Sequence, residues 1–431
     1  MMTIFNSKIY HQCFQNFKFW KHLLFNVFLV ALSLPIYGQL TTTDILASAK
    51  NGEAIAFQKK KMEYLQQSVT TLPWIDEIDI RTETHDLDLL EQEYTVRVSP
   101  NTKKEREKQK ALQQSSMAIN AADERILISE YLQERYSLIV DVYHFQKLKK
   151  LKQDYTELYA DRLQVLRKSM TLPRFDVNDL INAEDEMQEL QREIFELDEG
   201  LKMASELTYE WTGQNALLQF DENKFIDIER VMSIARGLRM DPSETHVKLM
   251  KWQLSMEHTL REIDLEKAQD KKWIDFFQVK YGGRNSAEFR ENFALGFAAT
   301  IPLKRSEQLK INELELDRII QENNYVRIKE ELTKSMERTR SEMESKYRLF
   351  QLIQSQLENS QAELVLQQYQ KIAGASPIAM LRLKESDLKK RVELFKIQQD
   401  IYRLYVSLLD ISGRMGHPPF KNYLSEDLES F

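Results

Sequence analysis

The sequence predicts a mainly α-helical protein with a small β part, arranged as two tandem strand-strand-helix-helix repeats. Only 11 Gly and 9 Pro occur in 431 residues, less than half of the roughly 12% that average usage gives. The ranges 101–170 and 304–373 contain neither residue. Two short sequences also recur at nearly the same spacing. Together these observations favour long helices over a series of small globular domains.

Composition excludes several classes of protein. The formal net charge of −7 gives no reason to expect a nucleic-acid partner. The 17 Tyr and 21 Phe residues are too many for a disordered chain of low hydrophobicity. One cysteine, Cys13, excludes an intrachain disulfide framework and a cysteine-based zinc site.

Residues 1–38 are predicted to be a signal peptide. Lys18 and Lys21 precede an apolar run over 23–37, which is shorter than the roughly 20 residues of a membrane-spanning helix. Gly38 supplies the small residue at the expected cleavage point. We therefore expect an exported chain that begins near Gln39 and has lost its cysteine.

The repeats are marked by two pairs of anchors. Trp74-Ile75-Asp76 recurs as Trp273-Ile274-Asp275, and Trp211-Thr212-Gly213 is echoed by Ile411-Ser412-Gly413. The predicted organisation is a first repeat over 39–213, a polar connector over 214–240, a second repeat over 241–413 and a tail over 414–431.

Each repeat is predicted to contain one β-hairpin, over 73–98 and 273–302. Phe293, Leu295 and Phe297 alternate with smaller residues, and Ile78 and Ile80 alternate with charged ones. Strands of about nine residues are long enough to cross a bilayer when tilted. A small hairpin with one face in water is the alternative.

Each hairpin is followed by a long helical hairpin, over 101–213 and 304–412, and preceded by a shorter helix, over 41–71 and 242–271. Heptad spacing predicts one packing seam in each copy. Asp176 or Asn178 is expected to cap the first returning helix. Ser376 is expected to cap the second, with Pro377 at its first position. The seam residues are Leu148, Leu151, Tyr155, Leu158 and Val165 in the first copy, interrupted by Arg162, and Leu332, Met336, Met343, Phe350, Ile353 and Leu357 in the second.

This arrangement resembles the TolC-like outer-membrane efflux proteins, also called outer membrane factors, over the whole mature chain. The family's local pattern lies at the tip of the helical hairpin, where a Gly precedes a helix that opens Asp-(Leu/Val)-x-x-Ala. The matching positions are Asp179, Leu180, Asn182 and Ala183 in the first copy, with Pro173 near the place of the Gly, and Gly374, Ser376, Pro377, Leu381 and Arg382 in the second.

The resemblance implies a homotrimer in which four strands per chain complete a 12-stranded transmembrane β-barrel. The long antiparallel coiled-coil helices would continue it as an α-barrel across the periplasm. It further implies a passive exit duct of a tripartite efflux or secretion system in the outer membrane. The helical tips would dock on a periplasmic adaptor, or membrane fusion protein, and on an inner-membrane pump. No cofactor is implied.

Two features depart from the family pattern. Arg382 stands near the aperture, where the family often has an acidic ring, so it would either bring positive charge to the constriction or lie on a solvated helix face. The segment 73–98 carries eight acidic residues and two arginines, which would favour cations in a lumen. Asp86 and Asp88 could hold a hard cation, but a solvated acidic loop is the preferred interpretation.

No catalytic constellation is present in the sequence. The seven histidines show no metalloprotease spacing, and neither a nucleophile elbow nor a phosphate-binding loop occurs. We therefore predict no catalytic, metal or cofactor site and no enzymatic activity. The alternative to a duct is an exported periplasmic coiled-coil interaction or scaffold protein without a pore.

Overall fold

A computed structural model describes most of the chain beyond residue 39. The described residues are 40–68, 72–84, 92–171, 175–214, 220, 224–239, 246–269, 274–282, 292–299, 306–360, 368, 371 and 377–431. The predicted signal peptide lies outside them, as do three of the predicted tip residues, Pro173, Gly374 and Ser376.

Eight helices and four strands are described, in an order that repeats. The helices are α1 (Thr42–Ala47), α2 (Glu53–Gln67), α3 (Lys103–Ser169), α4 (Val177–Thr212), α5 (Ile228–Gly237), α6 (Val247–Gln269), α7 (Ser306–Asn359) and α8 (Pro377–Ile411). The strands are β1 (Ile75–Thr84), β2 (Gln92–Pro100), β3 (Ile274–Gly282) and β4 (Phe293–Ala299). Short 3₁₀ turns cover Ser48–Asn51 and Arg414–Gly416.

The 67-residue helix α3 begins directly below the sheet, and its first turn explains why it starts there. The Thr102 hydroxyl accepts a hydrogen bond from the Glu105 amide at 3.2 Å, and the Glu105 carboxylate accepts one from the Thr102 amide at 2.6 Å. This capping box satisfies amides that the helix itself leaves unpaired. At 1.5 Å per residue, α3 spans about 100 Å.

The returning helix α4 is capped by Asp176. Its carboxylate accepts a hydrogen bond from the Asn178 amide at 2.9 Å, so Asp176 rather than Asn178 is the cap. Pro377 is the first residue of α8, as the sequence predicts.

Both predicted heptad seams are packing faces. Leu148, Leu151 and Tyr155 are buried in the first copy, and Met336 and Met343 are buried in the second. Near the sheet, α2 packs on α3, α3 on α6 and α6 on α7. Further from it, α4 packs on α3, α3 on α8 and α8 on α7. The helices thus form one curved row, with α2 and α4 at one border and α7 at the other.

The connector and the tail form a belt around the middle of this row, and the prediction of a merely polar connector missed a helix. The apolar face of α5 is buried against the core. The Phe225 ring stacks on Tyr143 at 3.9 Å between centroids, and the Tyr402 hydroxyl donates to the Ile226 carbonyl at 2.6 Å. The Ile226 amide in turn donates to the Leu424 carbonyl of the tail at 3.0 Å.

One of the two repeated sequences is explained by how the returning helices end. Gly213 follows α4 with φ of 69°, and Gly413 closes α8 with φ of 75°. This left-handed conformation is accessible to glycine at no steric cost and terminates a helix by turning its last amide back on the preceding turn.

Candidate functional sites at the sheet and the helical tip

The four strands form one antiparallel sheet in the order β1-β2-β3-β4. The hairpins of the two repeats join through β2 and β3. Among the strands that the structure describes, this leaves β1 and β4 as the two edges of the sheet, and an edge strand presents a row of backbone groups that can pair with another strand.

One face of the sheet is apolar across all four strands, and we call it the apolar ladder. One row of side chains crosses the four strands through Ile80, Val96, Val279 and Leu295, and the next row crosses them through Ile78, Val98, Phe277 and Phe297. A third row joins Tyr94, Tyr281 and Phe293. Most of these side chains are exposed, Leu295 by 84% and Phe297 by 76%. Exposed apolar patches of this extent mark surfaces that contact another apolar phase.

The opposite face of the sheet is polar and close to charge balance over the described strands. Glu93 pairs with Lys280 across the β2–β3 ladder, and Asp79 pairs with Arg81 at 2.7 Å. Over the described strands this face carries four acidic and three basic side chains, namely Glu77, Asp79, Glu83 and Glu93 against Arg81, Arg97 and Lys280. Asp86 and Asp88, the possible cation ligands, lie outside the described residues.

The repeated Trp-Ile-Asp sequence coincides with a β-bulge in each hairpin. The register shifts between Ile75 and Glu77 in β1 and between Ile274 and Phe276 in β3, so Asp76 and Asp275 are the extra residues. A bulge changes which face the following residues occupy. As a result, both isoleucines join the apolar ladder beside Pro100 and Ala299 respectively.

At the far end of the helices, the tips of the two repeats come together. Ala183 is fully buried in a cluster of α3 and α4 side chains that includes Tyr155 and Tyr159. Leu180 packs on the same cluster together with Ile378 from α8. Leu381 is also buried, whereas Asn182 and Pro377 are exposed.

Arg382 forms an ion pair with Asp179. Its guanidinium lies 3.2 Å from the Asp179 carboxylate; the Arg382 side chain is exposed and the Asp179 side chain is half-buried. On this exposed surface, Arg382 links the predicted tip sequences of the two repeats.

Glu385 is the centre of a tip network that sequence analysis missed. Its carboxylate accepts hydrogen bonds from the Tyr159 hydroxyl at 2.8 Å, from Arg162 at 3.0 Å and from Lys389 at 2.7 Å. Burial alone would raise the pKa of Glu385, but the bonds from Lys389 and Tyr159 outweigh it and hold that pKa below its usual range. The interruption of the heptad seam by Arg162 was the available signal.

Other kinds of site find no support in the part of the chain that the structure describes. No group of three or more His, Asp or Glu side chains there could hold a metal ion. None of the described helices combines the length and the apolar character needed to cross a bilayer.

Comparisons with known proteins agree at the level of fold. No protein-family model matches the chain, and no curated protein matches it. Among solved structures, the outer membrane protein VceC from Vibrio cholerae has 11% sequence identity and a TM-score of 0.62, with 86% of this chain and 96% of that chain covered. The open-state MtrE outer membrane channel of Neisseria gonorrhoeae has 10% identity and a TM-score of 0.63, with 86% and 88% covered. The CmeC outer membrane channel of Campylobacter jejuni has 9% identity and a TM-score of 0.61, with 86% and 84% covered. The chain has the fold of these TolC-like outer-membrane channels.

Proposed function

We propose that this chain is a protomer of a trimeric outer-membrane exit duct, which carries solutes passively from a periplasmic adaptor and an inner-membrane pump to the outside. The observation that carries the proposal is the apolar ladder on a sheet with two unpaired edges. In lipid every backbone polar group needs an internal partner, so an open sheet of four strands cannot span a bilayer. Closure with strands from other copies satisfies β1 and β4 together.

The side chains at the two edges support this closure. On the polar face, β1 presents the charged side chains of Asp79 and Arg81, whereas β4 presents the small residues Ala294 and Gly296. Small residues on β4 leave space for the charged side chains of β1 from the next copy. A contact of β4 with β1 is head-to-tail, and such contacts close into rings.

The helical row supports the same ring. Exposed large apolar side chains are concentrated on the border helices, whereas the described inner helix α8 has none and the inner helix α6 has Leu260. Those at one border include Phe57, Tyr64, Phe195, Met203 and Tyr209, and those at the other include Leu309, Leu316, Ile319, Ile320 and Val326. A second copy that places α7 against α2 and α4 would cover both sets.

The tips are the proposed docking surface for the adaptor. Asn182 and Pro377 are exposed there, and Ala183 and Leu381 fix the helices beneath them. Gly374, Ser376 and Pro173 belong to the same proposed surface through the sequence pattern.

Closure of the ring is tested by cysteine pairs. The mature chain is predicted to lack cysteine, so Asp79→Cys can be combined in turn with Ala294→Cys, Gly296→Cys or Ala298→Cys without background. We expect at least one pair to give covalent dimers and trimers on denaturing gels after oxidation of membranes. The matched control places both cysteines on neighbouring strands of one chain, with Arg97→Cys and Gln278→Cys, and should remain monomeric.

The alternative, a periplasmic scaffold without a pore, predicts the opposite results. All three edge pairs would stay monomeric, and the chain would leave membranes without detergent. For the duct, detergent-extracted protein should have the mass of a trimer and should conduct ions when reconstituted in a planar bilayer.

A further inference from the structure

The junction of sheet and helices has a layered arrangement of side chains. Ile75 is the last member of the apolar ladder at the helical end of β1, and Trp74 precedes it with 71% of its side chain exposed. The Arg106 guanidinium stacks on the Trp74 ring at 3.6 Å from its centroid. Apolar, aromatic and cationic groups thus follow one another along the axis of the molecule.

Further basic side chains lie in the helix turns next to this stack, and we call the set, with Arg106, the basic collar. Its members are Lys103, Lys104, Arg106 and Lys110 in the first turns of α3 and Lys267 in the last turn of α6. The α6 end lies at the same height, because Lys108 of α3 pairs with Asp264 of α6 at 2.5 Å.

The basic collar carries an excess of positive charge. Lys108 and Lys310 at this level are engaged by Asp264 and Glu266, whereas Lys103 approaches Glu107 only at 3.9 Å with both side chains largely exposed. Segment 103–110 holds five basic and two acidic residues, and one of the acids, Glu105, is committed to the capping box.

We propose that the basic collar binds the phosphate groups of anionic lipids in the leaflet that faces the helices. The inference rests on the proposed function, since it requires the apolar ladder to lie in a bilayer. Tryptophan favours the depth of the headgroups, and lysine and arginine extend their charged ends to phosphates at that depth. The collar begins where the ladder ends, so a bilayer covering the ladder brings its headgroups to these cations.

The basic collar continues directly from the apolar ladder, and this favours lipid over free phosphate as its ligand. A site for free phosphate would need donors converging on one point, whereas the collar is spread over two helices and borders an apolar surface. The ligand is therefore a surface of phosphates rather than a single ion.

The test compares full-length protein in vesicles of neutral phosphatidylcholine and in vesicles containing 30% phosphatidylglycerol. The variant is Lys103→Gln with Lys104→Gln and Lys110→Gln, because glutamine keeps helix propensity while removing charge. The matched control is Lys59→Gln with Lys60→Gln and Lys61→Gln on α2. These exposed lysines lie further from the sheet, since the Asn120 side chain bonds the adjacent Gln58 carbonyl.

Wild type is expected to insert into both vesicles and to prefer the anionic ones at 0.1 M salt. The collar variant should insert into neutral vesicles as wild type does and lose roughly tenfold or more of the anionic preference. The control variant should keep it, and 10 mM inorganic phosphate should leave it unchanged.

Three results would overturn the inference: an anionic preference retained by the collar variant, an equal loss in the control, or abolition of the preference by inorganic phosphate. Failure of wild type to insert into either vesicle would instead overturn the proposed function. The two failures are therefore distinguishable.

Discussion

Replacement of Leu295 by lysine is the sharpest test of whether the apolar ladder contacts lipid. Leu295 lies in the middle row of the ladder, opposite Val279, with 84% of its side chain exposed. A fully buried leucine contributes about 1.5–3 kcal/mol, and lysine on the lipid face of a barrel costs about 2–4 kcal/mol near the midplane. We expect Leu295→Lys to lower the free energy of unfolding from vesicles by roughly 3.5–7 kcal/mol per chain.

The assay is urea unfolding of reconstituted protein, followed by tryptophan fluorescence. Thr95→Lys is the control, because Thr95 lies on the polar face of the inner strand β2, away from the proposed contact between copies. It lies opposite Arg81 and Lys280, so a lysine there also meets like charges and its tolerance is a stringent comparison. If the two variants unfold at the same urea concentration, or if Leu295→Lys is as stable as wild type, the ladder does not face lipid.

Three further predictions concern the helices, measured by thermal or urea unfolding of detergent-solubilised protein. Glu385→Gln should destabilise by about 1–3 kcal/mol, because it leaves Arg162 without its carboxylate, whereas Lys384→Gln nearby should be neutral. Because the folded-state pKa of Glu385 is lowered, its contribution to stability is present above the ordinary pKa range of glutamate and is lost as pH falls below that range. A Glu385→Gln variant that loses stability on acidification as steeply as wild type would contradict this. Burial, assisted by Arg403, lowers the pKa of His144 to about 4. The native state therefore binds fewer protons than the unfolded state, and stability should fall as pH drops from about 6.5 to 4, by up to about 3 kcal/mol. His144→Gln should remove this dependence of stability on pH. A variant that loses stability between these pH values as wild type does would show that His144 is not the group responsible. A double-mutant cycle on Asp179→Asn and Arg382→Gln should give a coupling of at most about 1 kcal/mol, because the pair is exposed; a larger value would mean that the pair is desolvated in the assembly.

Periodicity was sufficient to predict the parts of the fold that depend on local sequence. The seam through Leu148 and Tyr155 and the alternation of Leu295 and Phe297 follow from the spacing of apolar residues alone. A cap by Asp176 or Asn178 follows from side-chain chemistry at the start of a helix, and the structure shows that Asp176 is the cap. These features need no knowledge of which other element packs against them.

Features that depend on long-range pairing could not be predicted in this way. The bond of Arg162 to Glu385 joins residues 223 positions apart, and the ion pair of Asp179 with Arg382 joins residues 203 positions apart. The strand pairing of β2 with β3 likewise connects the two repeats. Helix α5 was missed because its short apolar face, around Val231 and Met232, is interrupted by charged residues and is stabilised by docking on the core of the helical row.

The paired bulges at Asp76 and Asp275 have a consequence for how these hairpins can change length. A strand has a repeat of two residues, and each bulge adds one residue that has no partner of its own. Deleting Asp76 alone would therefore remove the bulge, pair Ile75 and Glu77 one to one with Pro100 and Ser99, and leave Ile75 on the apolar face. A one-residue deletion further along β1 would instead transfer the residues between it and the bulge to the opposite face. The entry into each hairpin should therefore tolerate the loss of one residue that the rest of the strand does not, and the Trp-Ile-Asp string marks this place in both repeats.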